Sequence, residues 1–253
     1  AARSSNPDDI SAWNPRQTVH GPDPDNVNTF SEQSVVSLST AGDVYFIWSL
    51  GNGVYGRRWN ANTGSFGVVQ PIDTSSVNRL SAVSTASDQA HVLYIRGGVV
   101  KYARYSGGTW ASPITLDSNT TNNYAILAVN PLNAELFAAW IRGNTIYVKR
   151  GAAPYAAVNW DTNATSLPTS GVNNAWLSGA YEVRVNQGGN GFFGFIRKEG
   201  SAFNVRFYGL YTKSGSSLSL DMADAGKDPT ILDVDANGIV RIKEGAASAI
   251  PIT

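Results

Sequence analysis

The chain has 253 residues, with Lys plus Arg and Asp plus Glu balanced at 19 each, so no global field draws it to nucleic acid or an anionic membrane. It has no cysteine, which excludes a disulfide scaffold, a thiol nucleophile and thiolate zinc. No apolar run reaches the roughly 18 residues that a membrane-spanning helix needs.

The first strand-like run is Val35-Val36-Ser37-Leu38, followed by Val44-Tyr45-Phe46-Ile47-Trp48-Ser49 and, after a Gly-Asn-Gly turn, Val54-Tyr55-Gly56-Arg57-Arg58-Trp59. β-Branched and aromatic enrichment between turn residues marks each as a strand. The pattern then recurs. Leu80-Ser81-Ala82-Val83 precedes Val92-Leu93-Tyr94-Ile95-Arg96-Gly97, which precedes Val100-Lys101-Tyr102-Ala103-Arg104-Tyr105. A third copy holds Trp140-Ile141-Arg142-Gly143, a fourth Phe195-Ile196-Arg197-Lys198, and a weaker fifth Val240-Arg241-Ile242-Lys243. The anchoring isoleucines are Ile47, Ile95, Ile141, Ile196 and Ile242, spaced 48, 46, 55 and 46 residues apart. Short aromatic strands close the units at Gly64-Ser65-Phe66, Gly108-Thr109-Trp110 and Asn159-Trp160. Four strands per unit at this period predict an all-β fold: a five-bladed β-propeller of four-stranded antiparallel blades, forming one domain over 1–253. The fifth unit ends before its last strand. Residues 10–20, with Trp13 placed like Trp110, are expected to complete that blade and close the ring.

The units resemble those of the Asp-box, sialidase-like β-propeller superfamily, whose third and fourth strands are joined by a Ser-x-Asp-x-Gly-x-x-Trp turn. The nearest matches are Ser106-Gly107-Gly108-Thr109-Trp110 and Asn60-Ala61-Asn62-Thr63-Gly64-Ser65-Phe66, and neither carries the Asp. The repeat logic is also similar to that of propeller lectins, which implies ligand pockets between blades.

Gly51-Asn52-Gly53-Val54-Tyr55-Gly56 and Gly189-Asn190-Gly191-Phe192-Phe193-Gly194 both spell G-x-G-x-x-G. A dinucleotide site needs that motif to open a helix, and here each lies between strands and reads as a hairpin. Asp233, Asp235, Asn237, Ile239 (through its carbonyl) and Glu244 fit a calcium loop, and the same stretch fits a plain hairpin turn. A calcium ion there would be structural, and no other cofactor is required.

Arg96, Arg142 and Arg197 follow Tyr94, Trp140 and Phe195 by two positions, so each pair shares a strand face. One reading makes them repeated sugar pockets, with the ring stacking and the guanidinium donating. The other makes them blade-to-blade packing, with the Arg paired to an acid. His20 and His91, the two histidines, share no metal or triad spacing, and no G-x-S-x-G elbow occurs. Asp43, Asp88 and Glu135, candidates for glycosidase carboxylates, read as turn residues.

The sequons at Asn119 and Asn163, and a surface polarity carried by Ser, Thr, Asn and Gly, suit a secreted or surface-displayed protein. An opening Ala1-Ala2-Arg3-Ser4 without Met is consistent with a processed or trimmed end. The expectation is a non-enzymatic, multivalent carbohydrate-binding module whose partners are glycans or glycoproteins, without nucleic acid or membrane insertion. The alternatives are a self-associating structural or adhesive subunit of a surface layer, filament or virion, and a sialidase-like glycoside hydrolase.

Overall fold

The computed structural model describes residues 18–19, 32–38, 42–86, 88–130 and 133–166, and beyond them the backbone of the strands named below. The described chain is built of antiparallel sheets. The first sheet comprises β1 (Glu32–Ser37), β2 (Val44–Leu50), β3 (Gly53–Asn60), β4 (Ser65–Phe66) and β5 (Gln70–Asp73). It runs in the order β1-β2-β3, with β4 and β5 both paired to β3. The second repeats this plan with β6 (Asn78–Ala86), β7 (Gln89–Arg96), β8 (Val99–Ser106), β9 (Thr109–Trp110) and β10 (Ile114–Asp117). The third holds β11 (Asn122–Val129), β12 (Leu136–Arg142), β13 (Thr145–Gly151) and β14 (Thr165–Ser166). The fourth holds β15 (Asn174–Gly179), β16 (Arg184–Val185), β17 (Gly191–Glu199), β18 (Ala202–Thr212) and β19 (Leu218–Asp221), and β20 (Ile231–Val234) pairs with β21 (Val240–Ile242).

The leading strands β1, β6, β11 and β15 lie side by side in that order, so each sheet stacks face-on against the next. This is the arrangement of a β-propeller. It explains why the second strands read as unbroken apolar runs: every residue of β12 from Leu136 to Ile141 is buried, because both faces of the sheet are covered.

Alternation divides each strand between two cores. Ala90, Val92 and Tyr94 pack against Tyr45, Ile47 and Val54 of the first sheet. Leu93 and Ile95 pack against Ala125, Leu127 and Trp140 of the third. The short aromatic strands act as staples between sheets. The Trp110 ring meets Tyr45 edge-on at 5.5 Å, and its Nε1 donates to the Tyr45 hydroxyl, which donates in turn to Gln70. Trp160 lies in an isolated bridge to Gly151 rather than in the short strand expected there, and its ring meets Tyr102 edge-on at 4.9 Å.

Hairpin register corrects the alignment of the repeats. Each second-to-third-strand turn has two residues: Leu50 pairs with Gly53, Arg96 with Val99, Arg142 with Thr145 and Glu199 with Ala202. Trp48 therefore occupies the position of Tyr94 and Trp140, two residues beyond Phe46. In the fourth sheet that position belongs to Arg197, two beyond Phe195, and Glu199 stands where Arg96 and Arg142 stand. A two-residue shift keeps every side chain on its face, so the period-2 pattern cannot register it.

Candidate functional site

The upper rim is defined here as the end of the sheets that carries these two-residue turns. Where two sheets meet along it, the last residue of one outer strand faces the second strand of the next sheet. Asp73 ends β5 opposite Val54, and Asp117 ends β10 opposite Val100, so the two are equivalent. Tyr94 donates its hydroxyl to Asp73 Oδ2 at 2.9 Å, and Arg96 Nη1 donates to both oxygens at 3.2 and 3.3 Å. At the next junction Trp140 Nε1 donates to Asp117 Oδ2 at 2.9 Å, and Arg142 Nη1 donates to the same oxygen at 3.2 Å. The Arg142 guanidinium also lies 3.8 Å from the Tyr147 ring centroid. A hydrogen bond to Tyr147, and then the Asp117 charge, hold its pKa above the ordinary value. Lys149 lies on the same face of β13 as Tyr147 and donates to the Thr162 carbonyl at 3.2 Å. Burial holds its pKa below the ordinary value, partly offset by Asp117 and Asp161.

Tyr94 and Trp140 are wholly buried. Neither ring offers a face to a sugar, and their polar ends are committed to the aspartates. What the rim leaves open is the charged pair. The Arg96 and Arg142 side chains are 45% and 31% exposed, over carboxylates that are 5% and 11% exposed. Each junction thus combines packing between sheets with a solvent-facing donor–acceptor pair. Arg197 and Phe195 lie in β17, with side chains outside the described residues.

The two aspartates were missed in the sequence, yet a signal exists. Phe66 and Trp110 each precede an Asp by seven residues, Asp73 and Asp117. That spacing separates the outer-strand aromatic from the rim acid.

Asp43, Asp88 and Glu135 lie at the opposite, lower end and are spent on the fold. Asp43 accepts from the Ala61 amide at 2.7 Å and from Arg58 Nη2 at 2.5 Å, and these bonds, the amide's first, hold its pKa below the usual carboxylate value. Arg58 also pairs with Asp88 at 2.8 Å, and Glu135 faces Arg150 at 3.6 Å. His91 is buried between Thr85 and Tyr102, at 2.7 and 2.6 Å. Burial pushes its pKa down to about 3.

Asn119 and Asn163 are both exposed. Asn119 caps its own turn, with its Oδ1 accepting from the Thr121 amide and hydroxyl. Gly51-Asn52 forms the β2–β3 turn, as a hairpin reading requires. Of the calcium-loop residues, Asp233 lies in β20 with its side chain outside the described residues, as are Asp235, Asn237, Ile239 and Glu244 altogether. His20 and most of residues 10–20 also lie outside them.

No protein-family model matches the sequence, and no curated protein matches it. Among solved structures, the Aleuria aurantia lectin in complex with α-methyl-L-fucoside superposes with a TM-score of 0.51 at 10% identity, over 78% of this chain and 64% of the lectin. The same fungal lectin is described as a six-bladed propeller with its own mode of fucose recognition. The NanB sialidase of Streptococcus pneumoniae gives a TM-score of 0.46 at 8% identity, over 70% of this chain and 30% of the sialidase. The chain thus spans less than two thirds of either protein. Its stacked antiparallel sheets and the superposition on the lectin identify the fold as a β-propeller.

Proposed function

We propose that this chain is a carbohydrate-recognition module that binds glycans in the grooves between adjacent propeller blades. The observation that carries this reading is the repeated, half-open guanidinium–carboxylate pair at equivalent rim positions, Arg96 with Asp73 and Arg142 with Asp117. Such a pair presents donors and acceptors side by side at fixed spacing, the complement of vicinal sugar hydroxyls. In the second groove Tyr147 is half-buried beside Arg142 and adds an apolar surface. The fucose-bound lectin, also a β-propeller, supports the ligand class.

The proposal includes a ring of five blades in one domain, on a secreted or surface-displayed protein. Closure by the N-terminal segment is supported by Arg57 Nη1, which donates to the Val19 carbonyl at 2.9 Å. Arg57 occupies the β3 position that Lys149 holds in β13, facing the preceding sheet's outer strand. Trp13 and His20 repeat the seven-residue separation of Trp110 and Asp117. The loop from Asp233 to Glu244 is proposed as a structural calcium site. Adding a chelator should then lower Tm, and an unchanged Tm would remove the ion from the account.

The function is tested with Arg96→Ala and Arg142→Ala, each measured against a glycan the wild-type chain binds. Each should weaken binding by roughly tenfold, the worth of a charge-assisted hydrogen bond. Unchanged affinity in both would remove the grooves as the binding sites. Release of a chromogenic aglycone would instead favour a hydrolase.

A further inference from the structure

Two residues on the leading strands hold a backbone conformation that L side chains rarely adopt. Arg79 has φ 58° and Tyr124 has φ 46°. They occupy the same place in successive sheets. Each is the extra residue of a β-bulge, Arg79 between Asn78 and Leu80 opposite Ile95 and Tyr94, and Tyr124 between Asn123 and Ala125 opposite Ile141 and Trp140. The fourth sheet shifts register at the same level, between Asn174 and Leu177. Glycine would sit there without strain, and neither position has it. A bulge re-aims the side chain it carries, and strain at a bulge whose side chain meets those of neighbouring sheets motivates a functional reading of it.

The two side chains meet. The Arg79 guanidinium lies 4.2 Å from the Tyr124 ring centroid, and its Nη1 is 3.2 Å from Oε1 of Glu32 on β1. Three successive sheets therefore converge on Arg79 at the upper end of the leading strands, which a closed ring would set around its axis. Arg79 and Glu32 stay 38% and 29% exposed, and the Asn78 and Asn123 side chains are exposed beside them. The guanidinium charge is matched by Glu32, so the cluster is close to neutral. It offers hydrogen-bond donors and acceptors in comparable number, next to an aromatic ring.

We propose that this axial mouth is a binding site for a neutral, polyhydroxylated ligand, a pyranose ring with free hydroxyls. It adds one site per molecule and does not rest on the grooves between blades. A charged ligand would have to displace one member of the Arg79–Glu32 pair, whereas a hydroxylated one can bond to both.

The test exploits the sign of the strain. Arg79→Gly and Tyr124→Gly remove the side chains and relieve the backbone together. Ligand-observed NMR with methyl α-D-mannopyranoside, methyl β-D-galactopyranoside and methyl α-L-fucopyranoside reads binding, and thermal unfolding reads stability. The measurements are made on the Arg96→Ala, Arg142→Ala chain, so that the two described grooves do not contribute. The expected result is saturation transfer to at least one pyranoside from this parent chain, lost when either Arg79→Gly or Tyr124→Gly is added, with Tm equal to or above that of the parent. A marked fall in Tm with both glycines would make the cluster structural and overturn the proposal. So would saturation transfer that survives both glycine substitutions, or its absence from the wild-type chain. A signal present in the wild-type chain and absent from the parent would overturn the axial site while leaving the groove reading intact.

Discussion

Asp117 receives the indole N–H of Trp140 and the guanidinium of Arg142 while only 11% exposed. Removing its carboxylate leaves a buried donor without a partner and a cation without its counter-charge. Asp117→Ala should cost about 1–3 kcal/mol, the penalty of an unsatisfied buried group, and thermal or urea unfolding will measure it. Asp73→Ala should behave alike, since Tyr94 and Arg96 make the same contacts. The neutral His91 gives a second prediction. Its folded pKa of about 3 lies below the ordinary 6.5, so above pH 6.5 it contributes no pH dependence. As pH falls below 6.5 the unfolded chain takes up a proton that the folded chain refuses. Stability should then decline by about 1.4 kcal/mol per pH unit towards pH 3. Replacing His91 with Gln should flatten that limb, and an unchanged slope would show that other groups dominate it.

At the scale of the strand and turn, the hairpins carry the geometry of the rim. Gly98 closes the β7–β8 turn at φ +80°, and a Cβ there would lie 1.8 Å from the Thr120 carbonyl oxygen. The chain leaving Asp117 thus rests against the turn that follows Arg96. Gly98→Ala should destabilise by about 1–3 kcal/mol, because both the backbone conformation and the space refuse a side chain; an unchanged Tm would mean that the segment simply yields. Much at this scale was legible in the sequence. The strands, the turns between them and the aromatic positions Phe66 and Trp110 of the short outer strands follow from alternation and turn chemistry, whereas the short strand expected at Asn159-Trp160 lies instead at Thr165–Ser166. The register of the repeats was not, because a shift of two residues leaves inside and outside unchanged. The bulges at Arg79 and Tyr124 were hidden for a related reason: one extra residue resembles noise in the alternation, and the asparagines before them were the only cue. The pairing of Arg96 and Arg142 with acids was anticipated as one of two readings. The identity of those acids needed the neighbouring sheet.

In the whole molecule, one face of the first sheet distinguishes a closed ring from an open stack. Phe46, Trp48, Tyr55, Trp59 and Phe66 share the face turned away from the second sheet, and Arg57 on that face reaches the Val19 carbonyl. Equivalent faces of the second and third sheets are covered by the sheet before them. If the N-terminal segment completes the last blade, deleting residues 1–20 should uncover this aromatic face. Dye binding and self-association should rise and Tm should fall; an unaffected, monomeric truncation would contradict closure.

The claim on which the functional account turns is that the rim of this propeller recognises glycans. A glycan-array screen of the whole chain in calcium-containing buffer tests it most directly. The account predicts selective binding to a structurally related set of sugars, weakened by Arg142→Ala. A blank array, with self-association in size-exclusion chromatography, would contradict it and point to a structural surface component.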